Sequence, residues 1–293
     1  MYRAIIIFLF VFVNSQTISD NRYIGYDASS MVGSIVASHE TIDGVFSNPA
    51  SIANVDSKSI SLGGGNLYGL SWLPNYYGIF IFKLPLIGNF GIGYHDLGVS
   101  YMNTDLSKET SLVVSSGRYI LNDMNSKLSF GWGINWMSWE TGNSAGISGD
   151  GSDGLNGQTI STYGINLGFQ ASLRNTYRFG IFLKNINSPI IGNGLSQQEL
   201  PRRLDAGISY LPLPDVETSF TVSQQLGMQN MVLSGGFKYK INKFFNFQLG
   251  AQSNPNRFGF GFSSNIRSLI LTYSFLSHPV LPSTSQFGVR YNF

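Results

Sequence analysis

Residues Lys127–Trp136 read KLSFGWGINW. Leu128, Phe130, Trp132, Ile134 and Trp136 fall on one face of an extended chain, and Ser129, Gly131, Gly133 and Asn135 on the other. Side chains alternate across a strand, so a period of two with one apolar face predicts a β-strand. The second face decides the environment. A strand of a water-soluble sandwich would carry Lys and Glu there, whereas this one carries Gly, Ser and Asn. A polar, uncharged face suits a lumen, and the aromatic face then turns to lipid.

The same pattern recurs outward along the chain. Tyr163, Ile165, Leu167, Phe169 and Ala171 alternate with Gly164, Asn166, Gly168 and Gln170. Phe245, Phe247 and Leu249 alternate with Asn246, Gln248 and Gly250, and Phe258, Phe260 and Phe262 with Gly259, Gly261 and Ser263. Fourteen strands are predicted, near 58–69, 77–84, 90–101, 109–119, 127–139, 161–172, 177–186, 202–211, 216–224, 230–240, 243–252, 256–263, 267–276 and 284–293. A ten-residue strand rises roughly 33 Å and, tilted by about 40°, spans about 25 Å, the height of an outer-membrane barrel's apolar band. Short turns are expected at 85–89, 122–126, 174–176, 212–215, 242 and 264–266, and longer connections at 70–76, 102–108, 140–160, 187–201 and 277–283. Their alternation, with an even strand count, places both termini on the periplasmic side.

Composition agrees. Charged residues are 12% of 293, about half the roughly 25% of a soluble domain, while glycine is abundant at 34 and aromatics make up 14%. A net charge of +2 argues against nucleic acid as a partner. The absence of Cys excludes disulfides, thiolate metal sites and cysteine nucleophiles. The run Ala4–Val13 is ten apolar residues after Arg3. As a helix it would reach about 15 Å, half of a bilayer core of about 30 Å. Residues 1–15 therefore read as a signal peptide, and the mature chain as exported.

Residues 24–56, within the segment 16–57, do not alternate. Asp27 to Ser38 is small and apolar, with a helix start expected at Asp27 or Ser29, and Asn48-Pro49 forces a turn because proline pushes the preceding residue out of the helical region. An apolar segment ahead of a barrel reads as a plug or hatch in its lumen, leaving 58–293 as the barrel.

The run AxxMVGSxVAxxxxxDGVFSNPASIA resembles the N-terminal hatch of the FadL-like long-chain fatty-acid transporter superfamily, and most closely its PorV/PorQ branch. Ala28, Met31, Gly33, Asp43, Gly44, Asn48, Pro49 and Ala50 are the matched positions. Ser34 stands where the family commonly has a second glycine. Leu276–Phe293, Leu183–Ile186 and Leu200–Tyr210 are also similar to that branch, with Ser283-Thr284-Ser285 in place of its usual Gly-Thr-His. Fourteen is the superfamily's strand number. The resemblance implies a hatch-closed barrel with one of two roles. As a PorV/PorQ-like protein it would serve type IX-like secretion or surface attachment by binding secretion machinery or secreted proteins. Alternatively, it would pass small hydrophobic compounds, with Met31, Val32, Ile35 and Phe46 as candidate lumenal contacts of the ligand. The first is the reading the resemblance favours. The chain is shorter than typical members, which points to the loss of external loops.

Other chemistry is expected to be absent. Of three His, only His95 lies in a strand, and its neighbour Asp96 faces the opposite side. No catalytic residue, metal site or cofactor is expected. The loop 143–158 carries Asp150 and Asp153 but lacks the spacing and closing Glu of a calcium loop. Lys238 and Lys240 share a face with Ser234 and Gly236, which permits a lumenal position, although a solvated rim is the simpler reading. Trp132, Trp136, Trp139, Tyr119 and Tyr101 read as interfacial girdle residues. The charge-poor lumen face argues against a general aqueous porin.

Overall fold

The structure, a computed structural model, describes residues 22–85, 87–101, 104–144, 146–149, 152–192 and 197–293. The signal-peptide reading of residues 1–15 and the position of Asp150 lie outside these. Fourteen strands close into one antiparallel barrel, each paired with its neighbours in sequence and the first with the last. They are β1 (Ser59–Asn66), β2 (Pro74–Leu84), β3 (Gly88–Tyr101), β4 (Thr104–Asn122), β5 (Ser126–Thr141), β6 (Thr159–Leu173) and β7 (Tyr177–Lys184). The second half comprises β8 (Arg203–Leu213), β9 (Val216–Gln225), β10 (Val232–Lys240), β11 (Phe245–Gln252), β12 (Arg257–Ile266), β13 (Leu269–Leu276) and β14 (Thr284–Asn292). A two-residue ladder, Ile190–Ile191 with Gln198–Glu199, ornaments the connection after β7. Closure leaves no free strand edge, so every strand's backbone groups find partners in the wall.

The wall is inside out relative to a soluble protein. Ser129, Asn135, Asn166, Gln170, Ser219, Gln248, Ser274 and Gln286 are buried, while Ile134, Trp136, Tyr163, Phe169, Phe179, Phe220, Leu249 and Phe287 are exposed. Alternation in the sequence therefore gave the correct faces, with the apolar one outward. Tyr177 stacks on Tyr210 and Phe245 on Phe262 across neighbouring strands of that outer face. No helix among the described residues is long and apolar enough to cross a membrane.

Three expectations are corrected. The connection expected at 102–108 is mostly strand: β3 and β4 keep pairing to Tyr101↔Thr104, past a register shift at Val99/Ser100. Polar residues there pair beyond the apolar band, where alternation no longer reports strand. The turn expected at 264–266 lies at Arg267-Ser268, because Asn265 and Ile266 still pair with Ile270 and Leu269. Trp139 and Tyr119 point inward. Trp139 packs beside Met137, Ile191 and Leu200 and donates Nε1–H to Ser107 at 2.8 Å, and the Tyr119 hydroxyl donates to Asn54 Oδ1 at 2.7 Å.

Candidate functional site

Most residues of 24–55 are buried, many against inward-facing residues of the wall. A five-residue helix, α1 (Tyr26–Ser30), starts after Gly25, one residue ahead of the expected Asp27. Asp27 does not cap it. Its carboxylate is drawn to the wall instead, where Gln248 Nε2 donates to Oδ1 at 2.6 Å and Lys238 Nζ lies 3.7 Å from the same oxygen. The hydroxyl of Thr41 donates to Oδ2 at 2.8 Å. Lys238 is thus lumenal, not a solvated rim residue.

The chain then turns at Gly33, whose φ of +76° is one that L side chains rarely adopt. Ser34, in place of a second glycine, lies 3.0 Å from the Ser219 hydroxyl and 3.3 Å from the Ser234 carbonyl. Two short 3₁₀ turns follow, Ile42–Val45 and Pro49–Asn54. Asn48 is extended, as the following proline requires, and caps the second turn by accepting Ala50 N–H at 3.1 Å. Its Nδ2 donates to Val36 O at 2.7 Å and Phe169 O at 3.2 Å, tying the segment to β6.

Glycines in the wall make this docking possible. A Cβ at Gly117, Gly131 or Gly168 would run into Pro49, Ala50 or Asn48. Gly44 approaches Ser51 equally closely. Asn89 Nδ2 donates to the carbonyls of Ile52 and Val55 at 2.8 and 2.7 Å, so backbone groups left free by the irregular chain are answered by the wall.

Two carboxyls lie close together in the segment. Asp43 Oδ2 accepts Ala28 N–H at 3.0 Å. Burial, then the negative charge of Asp27, pushes the Asp43 carboxyl up to about 8. Burial would raise Asp27 too, but Lys238, the hydrogen bonds from Gln248 and Thr41, and Arg290 together hold it below the ordinary carboxylate range. Asp27 is the charged member of the pair and Asp43 the neutral one. Burial, with the positive charges of Arg178, Lys238, Lys240 and Lys127, lowers His39 to about 3, so its imidazole is neutral. The lumen is therefore not charge-poor. Arg178, Arg203, Asp205 and Glu217 are buried in its wall, with Arg203 and Asp205 paired at 2.9 Å.

The candidate ligand contacts separate. Met31, Val32 and Ile35 are fully buried between segment and wall. Met31 fills the places where Gly236 and Gly250 lack side chains, and Val32 that of Gly259. Phe46 borders a cavity of about 50 Å³ with Ile24, Val113 and Met137, where His95 and Lys184 also reach. A dry cavity that holds benzene is about 150 Å³. In this conformation the cavity is too small for such a molecule.

Sequence reasoning missed an apolar cluster on the other side of Phe46. Ile24, Ile42, Val45, Ile52 and Val55 of the segment pack on Tyr77, Ile79 and Ile81 of β2 and Val113 of β4. Tyr77 also borders a groove of about 930 Å³ on the outer face, lined by Leu62, Gly63–Gly65, Tyr94, Phe287 and Val289. Its ring lies over the inner faces of Gly63 and Gly288, where an added Cβ would come within 2.5 and 3.0 Å of its hydroxyl. The run Gly63-Gly64-Gly65 beside the chain-closing β1–β14 pair was the available signal. His95 lies 2.7 Å from Asn75, and Asp96, on the opposite face, 3.7 Å from Lys108. The two form no catalytic pair. Asp153 accepts the backbone N–H groups of Ile147 and Ser148, an internal loop brace.

No protein-family model matches the chain, and no curated protein sequence does. Solved structures do. The toluene transporter TbuX of Ralstonia pickettii superposes with a TM-score of 0.63 at 14% identity, over 93% of this chain and 99% of that one. The toluene transporter TodX of Pseudomonas putida gives 0.58 at 13% identity, over 95% and 99%. A FadL homologue of Pseudomonas aeruginosa gives 0.55 at 10% identity, over 92% and 98%. At these identities the likeness is one of fold.

Proposed function

We propose that this chain is an outer-membrane channel for small hydrophobic compounds, with residues 16–57 as its hatch and residues 1–15 as the signal that exports it. One observation carries the reading. The apolar cluster inside the lumen and the apolar groove outside the wall meet at a single side chain, Tyr77. An apolar solute entering from the loop end would reach Phe46 and Ile24 only if the small cavity there widens. It would then have to part the packed cluster of Ile42, Val45 and Ile52, after which Tyr77 and two glycines separate it from the lipid-facing side. The hatch bars the axial route, so an open aqueous pore is not part of this reading. The names of the structural neighbours, two toluene transporters and a FadL homologue, support the same class of solute.

The secretion role implied by the PorV/PorQ resemblance has less support. Neither a family model nor a curated sequence links the chain to that branch, and two of the neighbours named above are toluene transporters. Uptake of labelled toluene by cells with and without the barrel tests the proposal. Faster uptake with the barrel supports it. Equal uptake, together with co-purifying secreted proteins, would return the secretion role to first place.

A further inference from the structure

A second cavity, of about 300 Å³, opens at the terminus end of the lumen, on the opposite side of the hatch from Phe46. Lys83, Arg118, Lys127 and Arg178 border it, against the carboxylates of Glu40 and Asp56. His39 also borders it and is neutral. The excess of cations is concentrated at Arg178 of β7, which is only 3% exposed. Its Nε has no hydrogen-bond partner among the described residues, and no carboxylate there comes within 4.0 Å of it. The carboxylate of Glu217 is occupied instead by His39 N–H at 3.1 Å and the Ser209 hydroxyl at 2.7 Å. A charged donor atom buried without a partner is unfavourable, and the planar fork of the guanidinium suits a two-oxygen partner. Lys127 approaches from β5, its Nζ 6.0 Å from the centre of the Tyr119 ring, and Tyr119 itself is tethered to the hatch through Asn54.

We propose that this cavity is an oxyanion-binding site, in which Arg178, with Lys127 and Lys83, holds a carboxylate or phosphate group against the inner face of the hatch. The cavity has the volume of about ten water molecules at roughly 30 Å³ each, room for a phosphate or a short carboxylate with part of its hydration. The site is separate from the apolar route at Tyr77 and stands whether or not that route carries solute. Because Asn54 of the hatch borders it, an anion held there by Arg178 and Lys127 would stabilise the docked hatch, against the repulsion of Glu40 and Asp56.

The full-length barrel in detergent micelles, titrated with inorganic phosphate and with acetate against chloride at equal ionic strength, tests this. The unfolding transition is expected to rise with phosphate or acetate but not with chloride. Arg178→Gln should abolish the rise, Lys127→Gln should reduce it, and Lys243→Gln, on an exposed turn, should leave it intact. An Arg178→Gln response equal to wild type, or no response in wild type, overturns the proposal. Should Arg178→Gln fail to fold, saturation-transfer NMR on the methyl protons of acetate with Lys83→Gln/Lys127→Gln decides. Loss of the signal supports the site, and an unchanged signal refutes it. Native mass spectrometry separates the sources of the anion. A phospholipid retained by wild type and lost in Arg178→Gln assigns a lipid headgroup, and phosphate binding to delipidated protein assigns a free solute.

Discussion

Lys238 Nζ of β10 lies 3.7 Å from Asp27 Oδ1 of α1, joining residues 211 positions apart in sequence across the barrel lumen. Both side chains are largely withdrawn from water, at 16% and 7% exposure. Breaking a buried pair by removing one partner typically costs about 3 kcal/mol, because the other charge is left stranded. Asp27→Asn or Lys238→Met should therefore loosen the hatch, read as faster amide exchange over residues 26–38 with the barrel strands unchanged. The double substitution should recover part of the loss, since it strands neither charge. Unaltered exchange in both single variants would mean that the pair does not hold the hatch.

Hatch docking should also depend on pH, with a sign set by Asp43 and His39. Asp43 titrates at about 8 when docked and near 3.8 when released. The docked state then binds the extra proton, and its stability falls as pH rises towards 8. His39 runs the other way. It titrates at about 3 when docked and 6.5 when released, so docking weakens as pH falls below 6.5. Between about 4 and 6.5 the two slopes oppose and nearly cancel. Between 6.5 and 8 Asp43 acts alone, and docking should weaken with rising pH. Asp27 is charged throughout this range, and Lys238 and Arg290 stay beside it. In Asp43→Asn the weakening above 6.5 should vanish and the acid-side weakening emerge. In His39→Asn docking should strengthen continuously as pH falls from 8 to 4. Amide exchange against pH measures both.

The glycine floor beneath Pro49–Asn54 gives a sharper steric test. At Gly131 an added Cβ would meet the backbone of Pro49 and Ala50, which cannot swing aside. Overpacking of this kind costs about 1–3 kcal/mol. Gly131→Val should lift the hatch and raise single-channel conductance in planar bilayers above the closed baseline. Gly235→Val, where the nearest atom to an added Cβ is 4.0 Å away, should not. A barrel that stays closed with Gly131→Val would deny residues 49–54 an occluding role.

Much of the barrel was legible because a membrane wall sorts its residues by parity. Ser129 to Asn135 and Gly164 to Gln170 announce their faces without any knowledge of partners. Parity counted one step further would also have turned both Trp139 and Tyr119 inward: Trp139 is odd where Trp132 and Trp136 hold the outer face of β5, and Tyr119 shares the inward parity of Val113 and Ser115 in β4. Strand length was less legible, because 104–108 pairs above the apolar band with no alternation to mark it. The interior was least legible. Met31 looks like a ligand contact until Gly236 and Gly250, more than 200 positions away, are placed against it. Arg178 looks like an ordinary charge until its parity with Gly180 carries it inside. Charges on a segment and on a wall pair through space, and local pattern carries no record of that.

Tyr77 supplies the most direct test of the route through the wall. Its ring covers Gly63 and Gly288 from the lumen, and the outer groove begins on their far side. Removing the ring leaves only backbone between the two apolar regions. Tyr77→Ala should speed toluene uptake about tenfold, the effect of a barrier lower by about 1.4 kcal/mol. It should also lower barrel stability by about 3 kcal/mol, as aromatic truncations in packed sites do. Gly64→Leu acts from the other side. Gly64 lies on the lipid-facing parity, where an added Cβ would run into the Tyr76 ring and the Asn75 carbonyl, so a leucine there fills the groove at a cost in wall stability. Uptake should fall below wild type while conductance stays at the closed baseline. Tyr77→Phe keeps the ring and should behave as wild type, which separates wall thickness from the lost hydroxyl. Uptake unmoved by both Tyr77→Ala and Gly64→Leu would place the solute's path elsewhere in the wall.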